Sequence, residues 1–107
     1  MTNAHVIFCT CPDQATAEKI AHALVEKQLA ACVNILPHVT SVYQWQGQVE
    51  SAAEYLLMIK SPVQSYTAIE TAIRSLHPYE LPEIIALSIA QGLPEYINWI
   101  QTCHASH

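Results

Sequence analysis

Apolar residues recur along this chain in two rhythms, one of period two or continuous, the other helical. Residues 5–11 carry Val6, Ile7 and Phe8 in a short apolar run, as a strand does. Pro12-Asp13 ends it, and Asp13 has the side chain of a helix N-cap. Ala17, Ile20, Ala21, Leu24 and Val25 then recur at helical spacing, with Glu18, Lys19, Glu26 and Lys27 opposite. This predicts an amphipathic helix ending near Gln28 or Leu29. Residues 31–45 read as a long β segment that Pro37 interrupts, so a bend or bulge on an edge strand is expected there. Gln46-Gly47 makes a tight turn, and Gly47 is one of only two glycines in the chain. A return strand follows over 48–60, with residues 55–59 as its buried part. Ser61-Pro62-Val63-Gln64 has the form of a capping box with proline at the first helical position. Tyr66, Ile69, Ile73 and Leu76 then line one helix face. Two prolines stiffen the connector His77-Pro78-Tyr79-Glu80-Leu81-Pro82-Glu83. Residues 83–90 read as a fourth strand, and 93–103 as a short final helix carrying Trp99.

The order is β-α-β-β-α-β plus a terminal helix, the α+β, ferredoxin-like arrangement with an antiparallel sheet, in one domain spanning residues 1–107. Right-handed crossovers place the two main helices on one sheet face. The segments at 56–59 and 84–89 are nonetheless apolar on both sides, so a second face needs covering.

Composition sharpens that point. Apolar residues make up 51% of the chain and charged residues 12%, against a usual charged share of about a quarter. So little charge leaves an apolar surface for another subunit to cover. The net charge is −5, with only Lys19, Lys27, Lys60 and Arg74 basic, which argues against nucleic acid as a partner, since phosphate binding needs a basic patch. The start has no basic residues followed by a long apolar run. No apolar stretch approaches the roughly 18–20 residues that span a bilayer. A cytoplasmic protein with reduced thiols is expected, with no membrane partner.

Several stretches occur together in a fixed order. They are Cys9-Thr10-Cys11-Pro12-Asp13, Leu29-Ala30-Ala31-Cys32-Val33-Asn34, Ser41-Val42-Tyr43-Gln44-Trp45-Gln46-Gly47 and the connector from His77 to Ile84. Glu54, Lys60 and Tyr96-Ile97-Asn98-Trp99-Ile100 complete the set. In them the chain resembles the CutA divalent-cation-tolerance proteins over nearly its whole length. The resemblance implies a homotrimer of ferredoxin-like subunits, similar in subunit architecture to PII signalling proteins. It implies a cytoplasmic protein tied to tolerance of divalent metals, with copper bound in the bacterial type. No enzymatic activity is expected. Its copper ligands look like a cysteine ending the first strand and two adjacent histidines before Pro-Tyr. Cys9 and His77 match two of these, and Leu76 stands in place of the first histidine.

Read from the residues, His77 is either a metal ligand or a turn histidine bonded to a backbone carbonyl. Cys9 and Cys11 lie two apart on a strand, so both point to one face. They are either a soft-metal pair or small core residues. Tyr43, Trp45, Tyr79 and Trp99 line a cleft between subunits or pack an interface. Lys60 pairs with Glu54, Glu80 or Glu83 across subunits, or meets an anionic ligand. Cys32 is expected in the core, and Cys103 with the tail histidines to bind metal only adventitiously. Three functions compete. The first is metal binding at Cys9 and His77. The second is a PII-like regulatory trimer taking a small anion, which convergence of Lys60 and Arg74 on a cleft would favour. The third is thiol-imidazole catalysis, for which no orienting third residue is evident.

Overall fold

The computed structural model describes residues 2–103. Strand β1 (Ala4–Cys11) leads into helix α1 (Gln14–Glu26), then β2 (Cys32–Trp45) and β3 (Gln48–Pro62). A single 3-10 turn (Val63–Ser65) precedes α2 (Tyr66–Leu76), and β4 (Ile85–Ser88) and α3 (Pro94–Thr102) complete the chain. The sheet order is β2-β3-β1-β4, every neighbouring pair antiparallel. This is the ferredoxin-like topology expected from the order of elements. No helix among the described residues is long and apolar enough to cross a membrane.

Local chemistry accounts for most boundaries. The Asp13 carboxylate accepts the Thr16 N–H at 2.8 Å and starts α1. Gln28 takes a left-handed φ of 58° just past its end, where the Leu29 N–H bonds the Leu24 carbonyl. The register of β2 against β3 shifts between Leu36 and Val39, and His38 sits there at φ 63°. That is the bulge foreseen at Pro37, and β2 is an edge strand as required.

Two expectations need correction. The capping box at Ser61-Pro62-Val63-Gln64 does not form. Pro62 pairs with Ala4, and the Val63 N–H reaches the Asn3 carbonyl at 2.9 Å. The sheet ladder claims these residues, and α2 begins after Ser65 without a side-chain cap bond. The fourth strand is also shorter than residues 83–90. β4 pairs with β1 from His5↔Ser88 to Phe8↔Ile85, and past its end the Ile89 N–H still donates to the Ala4 carbonyl at 3.1 Å. Beyond Phe8, the Thr10 carbonyl is bonded by His77 and no longer serves a strand.

Alternation along β1 divides the molecule. His5, Ile7, Cys9 and Cys11 face α1 and α2, where they are buried with Ile20, Leu24, Leu57, Ile59, Ile69 and Ile73. Val6 and Phe8 face the other way, in register with Met58 and Lys60 on β3 and with Ile85 and Leu87 on β4. α3 packs against β1 and β3 at one end, burying Ile97 and Ile100. The rest of that face is open, and Ile85 and Leu87 remain 51% and 47% exposed. The β2–β3 hairpin runs on with Val42, Tyr43, Trp45 and Val49 exposed.

At the hairpin tip, Gln46 has φ 52° and Gly47 φ 79°, the paired left-handed geometry of a two-residue turn. A Cβ at Gly47 would meet nothing within 4 Å. The cost of a side chain there is therefore backbone strain alone. Gly47→Val should cost about 1 kcal/mol or more, and Gly47→Asn far less, since asparagine tolerates this conformation. Urea unfolding of both variants checks this, and equal stability of the valine variant and wild type would contradict it.

His5 offers a pH test. Its ring is buried, with Tyr66 edge-on at 6.1 Å and Ser61 and Ser88 as cross-strand neighbours. Nε2 has no hydrogen-bond partner among the described residues, and neither does the buried Ser61 hydroxyl. Burial pushes the His5 pKa below its ordinary value. The unfolded chain then takes up a proton before the folded one does. Stability from this group is complete above about pH 6.5 and is lost as pH falls toward the lowered folded value. Denaturation midpoints measured from pH 7.5 down to 5 should fall more steeply for wild type than for His5→Phe. Parallel curves would contradict this.

Candidate metal centre

Cys9 and Cys11 occupy the last turns of the β1 pleat on its helix-covered face, opposite Leu57 and Tyr55 of β3. His77 ends α2, where its N–H bonds the Ile73 carbonyl at 2.8 Å. The helix thereby delivers the imidazole beneath the end of β1. The two sulfurs and a ring nitrogen of His77 all lie within 4.8 Å of one another, and all three residues are buried. Two donors on one ion, each about 2.3 Å from it, stand about 4 Å apart. A contraction of about an ångström closes the cluster.

His77 is tied to the backbone at both ring nitrogens. Nε2 lies 2.7 Å from the Thr10 carbonyl oxygen, so it carries the proton and donates. Nδ1 accepts the Tyr79 N–H at 3.2 Å. The Tyr79 ring lies tilted against the imidazole, with centroids 4.7 Å apart, and its hydroxyl donates to Glu54 Oε2 at 3.0 Å. Both sequence-based roles for His77 therefore meet in one ring, which is bonded to a carbonyl and sits beside two thiols. A metal would need the Nδ1 lone pair that the Tyr79 amide now uses, or a change of tautomer at Nε2.

The surrounding charge is negative. A hydrogen bond with Cys11 raises the Cys9 pKa far above the ordinary thiol value, with burial and the charges of Cys11, Glu83 and Glu54 acting in the same direction. The same hydrogen bond lowers Cys11, against burial, Asp13 and Glu54. Burial, then the hydrogen bond to Glu54, pushes Tyr79 up to about 12, with Tyr43 contributing. Thiols and imidazole set among carboxylates suit a thiophilic cation.

The remaining sequence-predicted residues are not part of this cluster. Glu80 is exposed on the connector. Lys60 Nζ donates to Tyr96 Oη at 3.4 Å and lies 5.7 Å from that ring's centroid, and Trp99 lies tilted against Tyr96. Glu54 is engaged by Tyr79 rather than Lys60. Arg74 lies in the last turn of α2, across the sheet from Lys60, so the two do not converge within the chain. Trp45 is half exposed near the hairpin tip. Cys32 is only partly buried, on the sheet face away from α1 and α2, which corrects its placement in the core. Cys103 Sγ donates to the Ala30 carbonyl, and the tail histidines His104 and His107 lie outside the described residues. Leu76 packs against the core. Two open clefts, of about 390 and 460 Å3, lie elsewhere, around His38 and Glu18 and around Gly92 and Gln101. Sequence reading missed the Glu54–Tyr79–His77–Thr10 chain of contacts, whose only signal was a polar Glu54 inside an apolar strand.

All four cysteines are free. Cα atoms two apart on a strand are separated by about 6.6–6.8 Å, at the upper limit for a disulfide. Bridging Cys9 to Cys11 would break the β1–β3 ladder. Thiol titration under denaturing, non-reducing conditions should count four per chain, and a count of two would reveal a bridge.

The family model described as CutA1 divalent ion tolerance protein matches residues 5–103. Mouse Protein CutA is 48% identical over 93 residues, which are 87% of this chain and 52% of that protein. The chain thus spans about half the length of this mammalian relative. The divalent-cation tolerance protein CutA of Thermus thermophilus is 46% identical over 96 residues, 90% of this chain and 93% of that one. The crystal structure of CutA from Xylella fastidiosa superposes with a TM-score of 0.91 at 46% identity, covering 94% of this chain and 97% of that one. With sequence, sheet order and helix placement in agreement along almost all its length, the chain belongs to the CutA divalent-cation-tolerance family.

Proposed function

We propose that this chain is the subunit of a cytoplasmic homotrimer that contributes to divalent metal tolerance by binding the ion, copper foremost, through Cys9 and His77 with Cys11 alongside. It acts by binding and not by catalysis. One observation carries the reading: two thiols and an imidazole from distant parts of the chain are buried together within 4.8 Å. The carboxylates of Glu54, Glu83 and Asp13 around the thiols favour a cation over an anion. Relatives named for divalent-cation tolerance supply the physiological setting. Four free thiols fit a reducing compartment. The trimer would cover the open sheet face around Val6, Phe8, Ile85 and Leu87, which a lone subunit leaves to water. Tyr43, Trp45, Tyr79 and Trp99 would then meet neighbouring subunits.

Two measurements test this. Sedimentation at micromolar concentration should show a trimer, and a well-folded monomer would contradict the assembly. In titrations with Cu(II) and Zn(II), His77→Ala should lower affinity by at least about tenfold. Equal stoichiometric binding by wild type and His77→Ala would remove His77 from the site.

A further inference from the structure

We propose that Cys32 and Cys103 form a redox-reactive pair that closes into a disulfide under oxidising conditions and ties the end of α3 to the start of β2. The sheet sorts the thiols by face. Cys9 and Cys11 are fully buried on the helix-covered side. Cys32 is the cross-strand neighbour of Lys60, which itself lies opposite Val6, so Cys32 shares the other face, where α3 packs. Lys60 Nζ meets Tyr96 Oη of α3 there. Cys103 follows Tyr96 by two helical turns, on the same stripe, and its sulfur donates to the Ala30 carbonyl at 3.4 Å. One residue separates Ala30 from Cys32. Chain geometry therefore keeps the Cys103 sulfur within about 10 Å of the Cys32 Cα at the most extended.

Both thiols are partly exposed and weakly held. Cys32 Sγ makes a 4.0 Å approach to Asn34 Oδ1, and Cys103 Sγ makes its one bond to a carbonyl. Cys103 has already left the helix, with extended φ and ψ and its N–H on the Ile100 carbonyl at 3.2 Å. Side-chain rotation and a shift of this residue can bring the sulfurs together without disturbing strand pairing, which a Cys9–Cys11 bridge cannot do. The oxidant is a low-molecular-weight disulfide of the glutathione class. The Cys32 sulfur gives up its proton and attacks one sulfur of that disulfide, and one glutathione leaves as the thiol. The Cys103 sulfur then gives up its proton and attacks Cys32 of the mixed disulfide, and the second glutathione leaves. Two thiols of the chain are oxidised and one glutathione disulfide is reduced to two thiols. Attack starts at Cys32 because burial raises the Cys103 thiol above its ordinary value, and the Lys60 charge beside Cys32 draws an anionic disulfide. The bridge fixes α3, whose Ile97 and Ile100 cover one end of the open sheet face, and it constrains the unfolded chain across a long loop.

The experiment incubates the full chain with glutathione and its disulfide at increasingly oxidising ratios. Remaining thiols are then blocked in denaturant, and the digested chain is mapped by mass spectrometry. Wild type should lose two of its four thiols and yield a peptide pair joined through Cys32 and Cys103, and dithiothreitol should restore all four. Cys103→Ser should stop at a glutathione adduct on Cys32. Cys32→Ser should keep Cys103 unmodified over the same interval. The oxidised wild type should unfold at a higher urea concentration than the reduced protein. A lasting glutathione adduct on Cys32 of the wild type would overturn the pair, as would a Cys9–Cys11 bridge, a disulfide-linked dimer or a urea midpoint lowered by oxidation. Four free thiols at a ratio that fully oxidises a control dithiol peptide would overturn it too. None of these readouts involves a metal ion, so they stand apart from the test of the proposed function.

Discussion

The pairing of β1 with β3 is the constraint on which the rest depends. Eight pairs, from Ala4↔Pro62 to Cys11↔Tyr55, set which side chains of β1 look toward the helices. Because the side-chain period of a strand is two, a slip of one residue would exchange the faces. Ile7, Cys9 and Cys11 would then turn to the open face, and Val6, Phe8 and Thr10 would enter the core. One register therefore determines the hydrophobic core, the thiol pair and the apolar face left open. Burial of Ile7, Leu57 and Ile59 against α1 and α2 holds that register, since each would lose roughly 1.5–3 kcal/mol on exposure.

His77 closes the second half of the structure. β4 stops pairing with β1 at Phe8, which leaves the Thr10 carbonyl needing a donor in a buried place. The imidazole provides it and in turn receives the Tyr79 amide. The proline-stiffened connector is thereby fastened to the end of β1, and Tyr79 is aimed at Glu54. The same bonds that make His77 a structural residue place it against Cys9 and Cys11. A metal at this ring would have to compete with that fastening, whereas Cys9 Sγ makes a weak 3.9 Å approach to the Thr10 carbonyl.

Period and punctuation made most of the architecture legible. The helix start at Asp13, the bulge at Pro37 and the turn at Gly47 each rest on local chemistry that a sequence displays. Ser61-Pro62-Val63-Gln64 misled because a local capping signal competed with a long-range ladder, and the ladder won. The final strand was overestimated because apolar character continues past the point where its partner's hydrogen bonds are taken by a side chain. The two-residue spacing of Cys9 and Cys11 disclosed their shared face. Their meeting with His77 could not be derived from spacing, since it depends on the length and angle of α2. The convergence of Lys60 and Arg74 that would have favoured an anion site does not occur within the chain, because strand alternation and helix placement send them to opposite sides of the sheet.

The central claim is that this Cys9–Cys11–His77 cluster is where a metal ion binds. Long-range proton–nitrogen spectra of the histidine rings, recorded during a Zn(II) titration, test it most directly because they observe the donor atom itself. In the metal-free protein His77 should show a protonated Nε2 and an unprotonated Nδ1. One equivalent of Zn(II) per chain should shift a His77 ring nitrogen and the Tyr79 amide together, leaving His5 and His22 unmoved. A His77 ring whose signals stay in place while the protein takes up the ion would contradict the account.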